Sequence, residues 1–531
     1  MTNLKANILT GFIFTITAVT LSFASAAAQR VQQRTPLLIG ITVEGLTDES
    51  LTLLEPQLSP GGFKRLMDNG VTLTNVKFGP GIDPTASAAM VHTGASPSVS
   101  GVPAAKIFDQ EKKVTQPIFY DRKFMGNFTN ENYSGKAMKV TTIADEIRID
   151  TDGDGLVYTI ASDPQTAIAI AGHTANGVYW IEDQSGNWAT TTYFGEMPKA
   201  VSERNYRNSL TSRIGSIIWT PMLEMTEYPL LSKAEIGKPF KVTFQNRDDD
   251  RFRKFKATPA ANTEITDVAI DLINSLRLGS DRQTDVLNIS YNLAFPGATR
   301  TQIMDAYLRL DADLQRLFMA ADRVAGIGNV TIMVCGLPTV GTVSPDPDKW
   351  RTPSGEFSVK KAEYLLELYL IAVHGNADWV TGYHNRQIFL NRKLITDRDL
   401  NLKDFRAEVA DFMARMEGVS GVYTVDDVIA SRAGEDPQAT KRNTDVTTCG
   451  DVFIEVAPGW QIVDDPMVAV SDRPGAQRFS AVRIPAIIAG PGIDRKQIDQ
   501  PVDVRSLAPA LTSALRFRSP SGASSNELRL R

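Results

Sequence analysis

Several short stretches hold side chains whose types and spacing could do chemistry. Asp150-Thr-Asp152-Gly-Asp154-Gly155 sets carboxylates at alternate positions with glycine sixth, as in the opening of a calcium-binding loop. Its twelfth position is Ala161, where such a loop carries a bidentate Glu, so a solvated turn is the competing reading. Asp83, Ser87 and His92 are the residue types of an acid, nucleophile and base, but that chemistry requires them to meet in space. Asp248-Asp-Asp-Arg-Phe-Arg-Lys-Phe255 interleaves charges of both signs with two aromatics, an anion or peptide contact on one reading and a solvated face on the other. The chain has four histidines, His92, His173, His374 and His384, none adjoining an acidic residue in a ligand-like spacing. A catalytic zinc takes three protein ligands, so two such sites are hard to assemble from this set.

The elements that must position these residues follow from the apolar pattern. Pro36 to Val43 is a continuous apolar run, the pattern of a strand buried on both faces of a parallel sheet. A helix ending at Asn69-Gly70 follows, then a strand over 71–76 and a small-residue segment from Pro84 to Gly94. Further strands are predicted over 156–161, 285–290, 330–334 and 484–489, with helices over 142–149 and 301–325. Strands alternating with helices predict an α/β fold with a doubly wound, mostly parallel sheet flanked by helices. Two stretches, about 180–260 and 340–460, break the rhythm and read as cap-type insertions in a domain spanning 34–525. Tyr179, Trp180, Trp188, Tyr193 and Phe194 would form the core of the first. Ligands of such sheets bind beyond the carboxyl ends of the strands, which singles out Glu44, the 84–94 segment, Asn292 and Cys335-Gly336-Leu337.

Met1 to Ala28 carries Lys5, an apolar run over 8–23 and the small-residue end Ser25-Ala-Ala-Ala28, the order of a secretory signal peptide cleaved before Gln29. Export to the periplasm follows, with outer-membrane association or secretion as alternatives. That run is too short and Thr-rich for a good membrane span. A charge of -5 with 22% charged residues excludes the basic footprint of a nucleic-acid binder. Cys335 and Cys449 could pair in an oxidising compartment, but a buried free thiol fits the apolar run before Cys335 equally well.

Collinear motifs carry a resemblance. They include Gly61-Gly-Phe-Lys-Arg-Leu66, His92-Thr-Gly-Ala-Ser-Pro97, Ala171-Gly-His173, Lys256-Ala-Thr-Pro259 with Asn262, and Asp305-Ala-Tyr-Leu-Arg-Leu-Asp311. Gln387-Ile-Phe-Leu-Asn391, Gly450-Asp451 and Leu507-Ala-Pro-Ala-Leu511 continue the order. Together they resemble the alkaline phosphatase superfamily, most closely its bacterial phosphate-irrepressible (PafA-like) members, over nearly the whole mature chain.

Active members of that family hold two zinc ions with three carboxylates and three histidines around a Ser or Thr nucleophile, and the resemblance places those positions here. Glu44 stands where the first strand would end in a metal-binding Asp. Asn292-Leu-Ala-Phe-Pro296 replaces an Asp-x-x-x-His, Gly336-Leu337 replaces an Asp-His pair, and the last metal His falls at Pro474. Thr85 is the best match to the nucleophile, in a segment one residue shorter than the family spacing, a change that would rotate or shift its helix. Positions that contact phosphate align with Ala105 and Asp163-Pro-Gln165. The resemblance therefore implies a catalytically degenerate periplasmic pseudoenzyme, without zinc, that binds or scaffolds an unidentified envelope partner or ligand. The alternative is a divergent metal-dependent phosphomonoesterase or phosphodiesterase that uses Thr85 as nucleophile with Glu44 and Asn292.

Overall fold

The computed structural model describes residues 34–79, 82–245, 247–295, 297–339, 355–431, 443–457, 459–464, 482–524 and 528–530. The proposed signal peptide and Pro474 lie outside them. The apolar run at the start forms β1 (Leu37–Glu44), whose first seven residues are buried. It is central in an eleven-stranded sheet. The other principal strands are β2 (Gly70–Lys77), β3 (Val157–Ala161), β4 (Gly177–Ile181), β5 (Trp188–Thr191), β6 (Asp285–Asn292), β7 (Val330–Leu337) and β8 (Ile484–Ala489). They lie in the order β2-β8-β7-β1-β6-β3-β4-β5. From β7 to β4 every pair is parallel, while β8 and β5 run antiparallel to their neighbours, giving the mixed, mostly parallel sheet expected.

Helices cover both faces. They include α1 (Pro84–Thr93), α2 (Ile143–Asp150), α3 (Pro164–Ala171), α4 (Arg251–Lys256), α5 (Pro259–Leu276) and α6 (Arg300–Ala325). Capping boxes start two of them, Thr142 with Asp145 for α2 and Thr299 with Gln302 for α6, each satisfying N–H groups that a helix start leaves unpaired. One core lies on the face covered by α5 and α6, and a second lies under α1 and α2. Alternate residues of β1 contribute to the two, Ile39 and Ile41 to the first and Leu38 to the second, which is why the run is apolar without a break.

The first insertion begins later than the sequence pattern suggests, because residues 177–191 form β4 and β5 of the main sheet. Tyr179, Trp180 and Trp188 are accordingly buried in the cores of the α/β domain and not in a separate cap. Residues 199–245 then pack onto the main core through Val201, Trp219 and Phe244. Asp305 of α6 anchors this insertion, accepting from Trp219 Nε1 (2.6 Å) and the Tyr228 hydroxyl (2.7 Å). The second insertion forms a four-stranded sheet with its own core, including Phe357, Leu366, Trp379 and Ile454. Its buried Asp451 accepts from Arg392 Nε (2.9 Å) and Arg406 Nε (2.8 Å).

Candidate functional site

The parallel register sets three strand ends in one row. Glu44 of β1 lies between Asn292 of β6 and Leu337 of β7, each its direct partner. The three positions singled out from the sequence, Glu44 far along the chain from the other two, thus meet at the carboxyl edge of the sheet, where an α/β fold presents its ligand crevice. A cavity of about 220 Å³ opens there, lined by Glu44, Asn292 and Leu337 together with Pro84, Asp163, Thr166, Ser290, Arg253 and Lys256 among others.

Each strand end has its own chemistry. The Asn292 side-chain oxygen accepts the Ala294 N–H at 2.7 Å, closing a local turn, and its backbone is held by Asn262. Leu337 is 1% exposed and contributes only alkyl surface. A Cβ built on its neighbour Gly336 would come within 2.7 Å of the Leu46 carbonyl oxygen and 2.8 Å of Ile484 Cγ2, so the chain has closed around a position with no side chain. Glu44 is only partly buried, and its carboxyl group makes no hydrogen bond or ion pair among the described residues. Burial, then the nearby Asp83 and Asp163 carboxylates, push it up to about 8.

Thr85 is the second residue of α1 and 3% exposed. Its hydroxyl lies 3.2 Å from that of Thr166, and the helix residue that lines the cavity is Pro84. A shortened segment that shifts the helix start is consistent with this placement. The N-terminal end of α1 is already capped: Asp83 accepts from the N–H groups of Thr85 (2.8 Å) and Ala105 (3.2 Å). Helix N-termini attract anions; here the anion is the protein's own carboxylate. Desolvation dominates over those hydrogen bonds and raises Asp83 to about 6. Asp163 caps α3 in the same way, accepting from Thr166 N at 2.9 Å. Of the positions aligned with phosphate contacts, Asp163 lines the cavity as a carboxyl group, Ala105 donates its backbone N–H to Asp83, and Gln165 is buried and accepts from the Phe119 N–H at 3.2 Å.

The crevice also holds two cations, Arg253 from the stretch weighed between an anion contact and a solvated face, and Lys256 from a motif that carries the resemblance. In α4 the aromatics Phe252 and Phe255 are buried, three residues apart on one side, and Arg253 and Lys256 face the cavity. That spacing was the available signal, since i,i+3 aromatics on a buried face leave the neighbouring cations to another. Lys256 is committed to Asp183 and to the Ile181 carbonyl (3.2 Å). Arg253 is 54% exposed, and its ion contact, with Asp183, is 4.0 Å long.

The remaining candidates lie elsewhere. His92 is buried against the sheet beside Gly40, where a Cβ would meet its Cε1 at 3.1 Å, and burial lowers it to about 3. Its Nε2 has no partner among the described residues, and Ser87 donates to the Asp83 backbone carbonyl (2.9 Å), so Asp83, Ser87 and His92 form no catalytic relay. His173 bonds Asp145 (3.0 Å) and the Met138 carbonyl (2.9 Å), His374 bonds Glu408 (3.0 Å), and His384 bonds the Lys106 carbonyl (2.9 Å). Asp150, Asp152 and Asp154 are exposed in the turn from α2 to β3, with Asp150 paired to Arg34. Among the described residues no group of three or more His, Cys, Asp or Glu side chains is arranged to hold a metal ion. Cys335 and Cys449 are free and buried.

A large, mostly parallel sheet with its crevice at these strand ends defines an alkaline phosphatase-like α/β protein. Residues 38–477 match the model of the type I phosphodiesterase / nucleotide pyrophosphatase family, and the chain belongs to that family. It is similar to alkaline phosphatase PafA of Elizabethkingia meningoseptica, 25% identical over 528 residues that cover 92% of this chain and 93% of that one. Alkaline phosphatase PhoV of Synechococcus elongatus is 24% identical, covering 92% of each chain. The crystal structure of wild-type PafA superposes with a TM-score of 0.80 at 24% identity, over 93% of this chain and 98% of that one. This confirms the fold class.

Proposed function

We propose that this chain is a phosphatase-fold protein that does not perform two-metal ester hydrolysis and instead holds a ligand or protein partner in the cell envelope. The carrying observation is the row Glu44, Asn292, Leu337 at three adjacent strand ends. One carboxylate, one amide whose oxygen is already engaged and one alkyl group do not fit two zinc ions, which need imidazoles and carboxylates in tetrahedral sets. The closure around Gly336 and the placement of Thr85 behind Pro84 support the same reading. The N-terminal pattern over 1–28 supports export to the periplasm.

A second reading keeps hydrolysis, with Thr85 as nucleophile and one hard cation on Glu44. Its support is that Glu44 faces the cavity with no ion pair among the described residues, and that several relatives are named alkaline phosphatases. The two readings separate in a screen of aryl phosphate monoesters and diesters with zinc, magnesium, manganese or calcium added. The first expects no turnover above buffer with any metal. Turnover abolished by Glu44→Ala would establish the second and end the first.

A further inference from the structure

The crevice has two electrical poles. The carboxyl groups of Glu44 and Asp163 line the cavity, the first without an ion pair or side-chain hydrogen bond among the described residues, and a cation bound beside Glu44 would favour its ionised form. On the wall, Arg253 presents a half-exposed guanidinium whose contact with Asp183 is a long 4.0 Å, whereas Lys256 is already satisfied. Ser162, Thr166 and Ser290 add hydroxyl-bearing residues to the lining. The space, about 220 Å³, is below the roughly 300–1,000 Å³ of pockets for drug-sized ligands, so its occupant is small.

The polarity selects the occupant further. A simple anion is opposed by the Asp163 carboxylate, which stands where a phosphate contact aligns, and the N-terminus of α1 is closed to it by Asp83. A bare metal ion needs ligands converging at one point, which the described residues do not supply. An organic ammonium distributes three N–H donors over separated oxygens and so suits Glu44 and Asp163. The remaining pole, Arg253, matches a carboxylate, sulfonate or phosphate group.

We propose that the cavity binds a small zwitterion, its ammonium on Glu44 and Asp163 and its anionic group at Arg253. The proposal rests on the ligand-binding reading given above and names the chemistry of the ligand. It is tested by calorimetry on the full chain with taurine as probe, beside its two halves, ethylamine and methanesulfonate. Taurine should bind at least ten-fold more tightly than either half, and Glu44→Gln and Arg253→Gln should each weaken it about ten-fold. Arg253 is half-exposed, so its substitution leaves the fold intact even where Glu44→Gln does not. Binding of methanesulfonate as tight as taurine, indifference to Arg253→Gln, or no binding of taurine overturns the proposal. None of the probes is a phosphate ester, so hydrolytic activity would sink the reading of function without touching this result, and absent taurine binding would do the reverse.

Discussion

Asn262 and Asn292 are clamped together by two hydrogen bonds: Asn262 Nδ2 donates to the Asn292 carbonyl at 2.7 Å, and Asn262 Oδ1 accepts the Asn292 N–H at 3.1 Å. A buried side chain on α5 thereby holds the backbone at the end of β6, independently of what residue 292 carries. The fold keeps the strand end in place although its side chain is an amide. Asn262→Ala would leave both backbone groups unpaired in a buried setting and should cost about 2–4 kcal/mol. Urea unfolding would measure this, and a loss under 1 kcal/mol would show that the clamp contributes little.

The closure at Gly336 makes a prediction about reversal. An Asp there puts its Cβ within 2.7 Å of the Leu46 carbonyl, and backbone yields poorly to such a contact. Gly336→Asp should destabilise by roughly 1–3 kcal/mol, the usual range for overpacking. Combining it with Leu337→His should not restore phosphatase activity. Recovery of zinc-dependent turnover in the double variant would refute this view of the site.

Glu44 and Asp83 predict a pH dependence of stability. Glu44 is raised from 4.5 to about 8, so between those values the unfolded chain releases a proton that the folded chain retains. Stability from this group is therefore full below about 4.5 and is lost as pH rises toward 8, by up to ~1.4 kcal/mol per unit. The partial exposure of Glu44 to the cavity reduces that slope. Asp83, raised to about 6, adds the same sign at lower pH. Denaturation midpoints from pH 5 to 9 should fall in the native chain and flatten in Glu44→Gln. A cation bound at Glu44 would hold it ionised and reverse the sign, so a rise with pH would count against the metal-free site.

Thr85 and Thr166 should behave as a structural pair. Their hydroxyls lie 3.2 Å apart, and a hydrogen bond of this kind contributes about 0.5–1.5 kcal/mol. Thr85→Val and Thr166→Val should each destabilise within that range, and the double variant by less than their sum. Strict additivity would show that the two hydroxyls do not interact.

Much of the scaffold was legible because each signal is local. The apolar run of β1, the helix over 142–149 and the long α6 are written in contiguous residues. The motifs that carried the resemblance proved to include structural joints. Gly62 leaves no room for a side chain beside Asp311, whose carboxylate accepts the Phe63 N–H at 2.7 Å. Glu44, Asn292 and Leu337 were found as strand ends, but their alignment is a property of register, which no single strand specifies. Assigning Tyr179, Trp180 and Trp188 to the insertion failed because β4 and β5 are short, and aromatic burial looks alike in a sheet and in a cap. The stretch holding Arg253 stayed open between an anion contact and a solvated face because the choice depends on which face of a six-residue helix meets the crevice.

The central claim is tested most directly by the metal content of the chain together with its hydrolytic activity. After purification in zinc and removal of free metal, native mass spectrometry should show fewer than one zinc ion per chain at the crevice, and p-nitrophenyl phosphate should not be turned over. Two zinc ions per chain, with turnover that Thr85→Ala abolishes, would contradict the account.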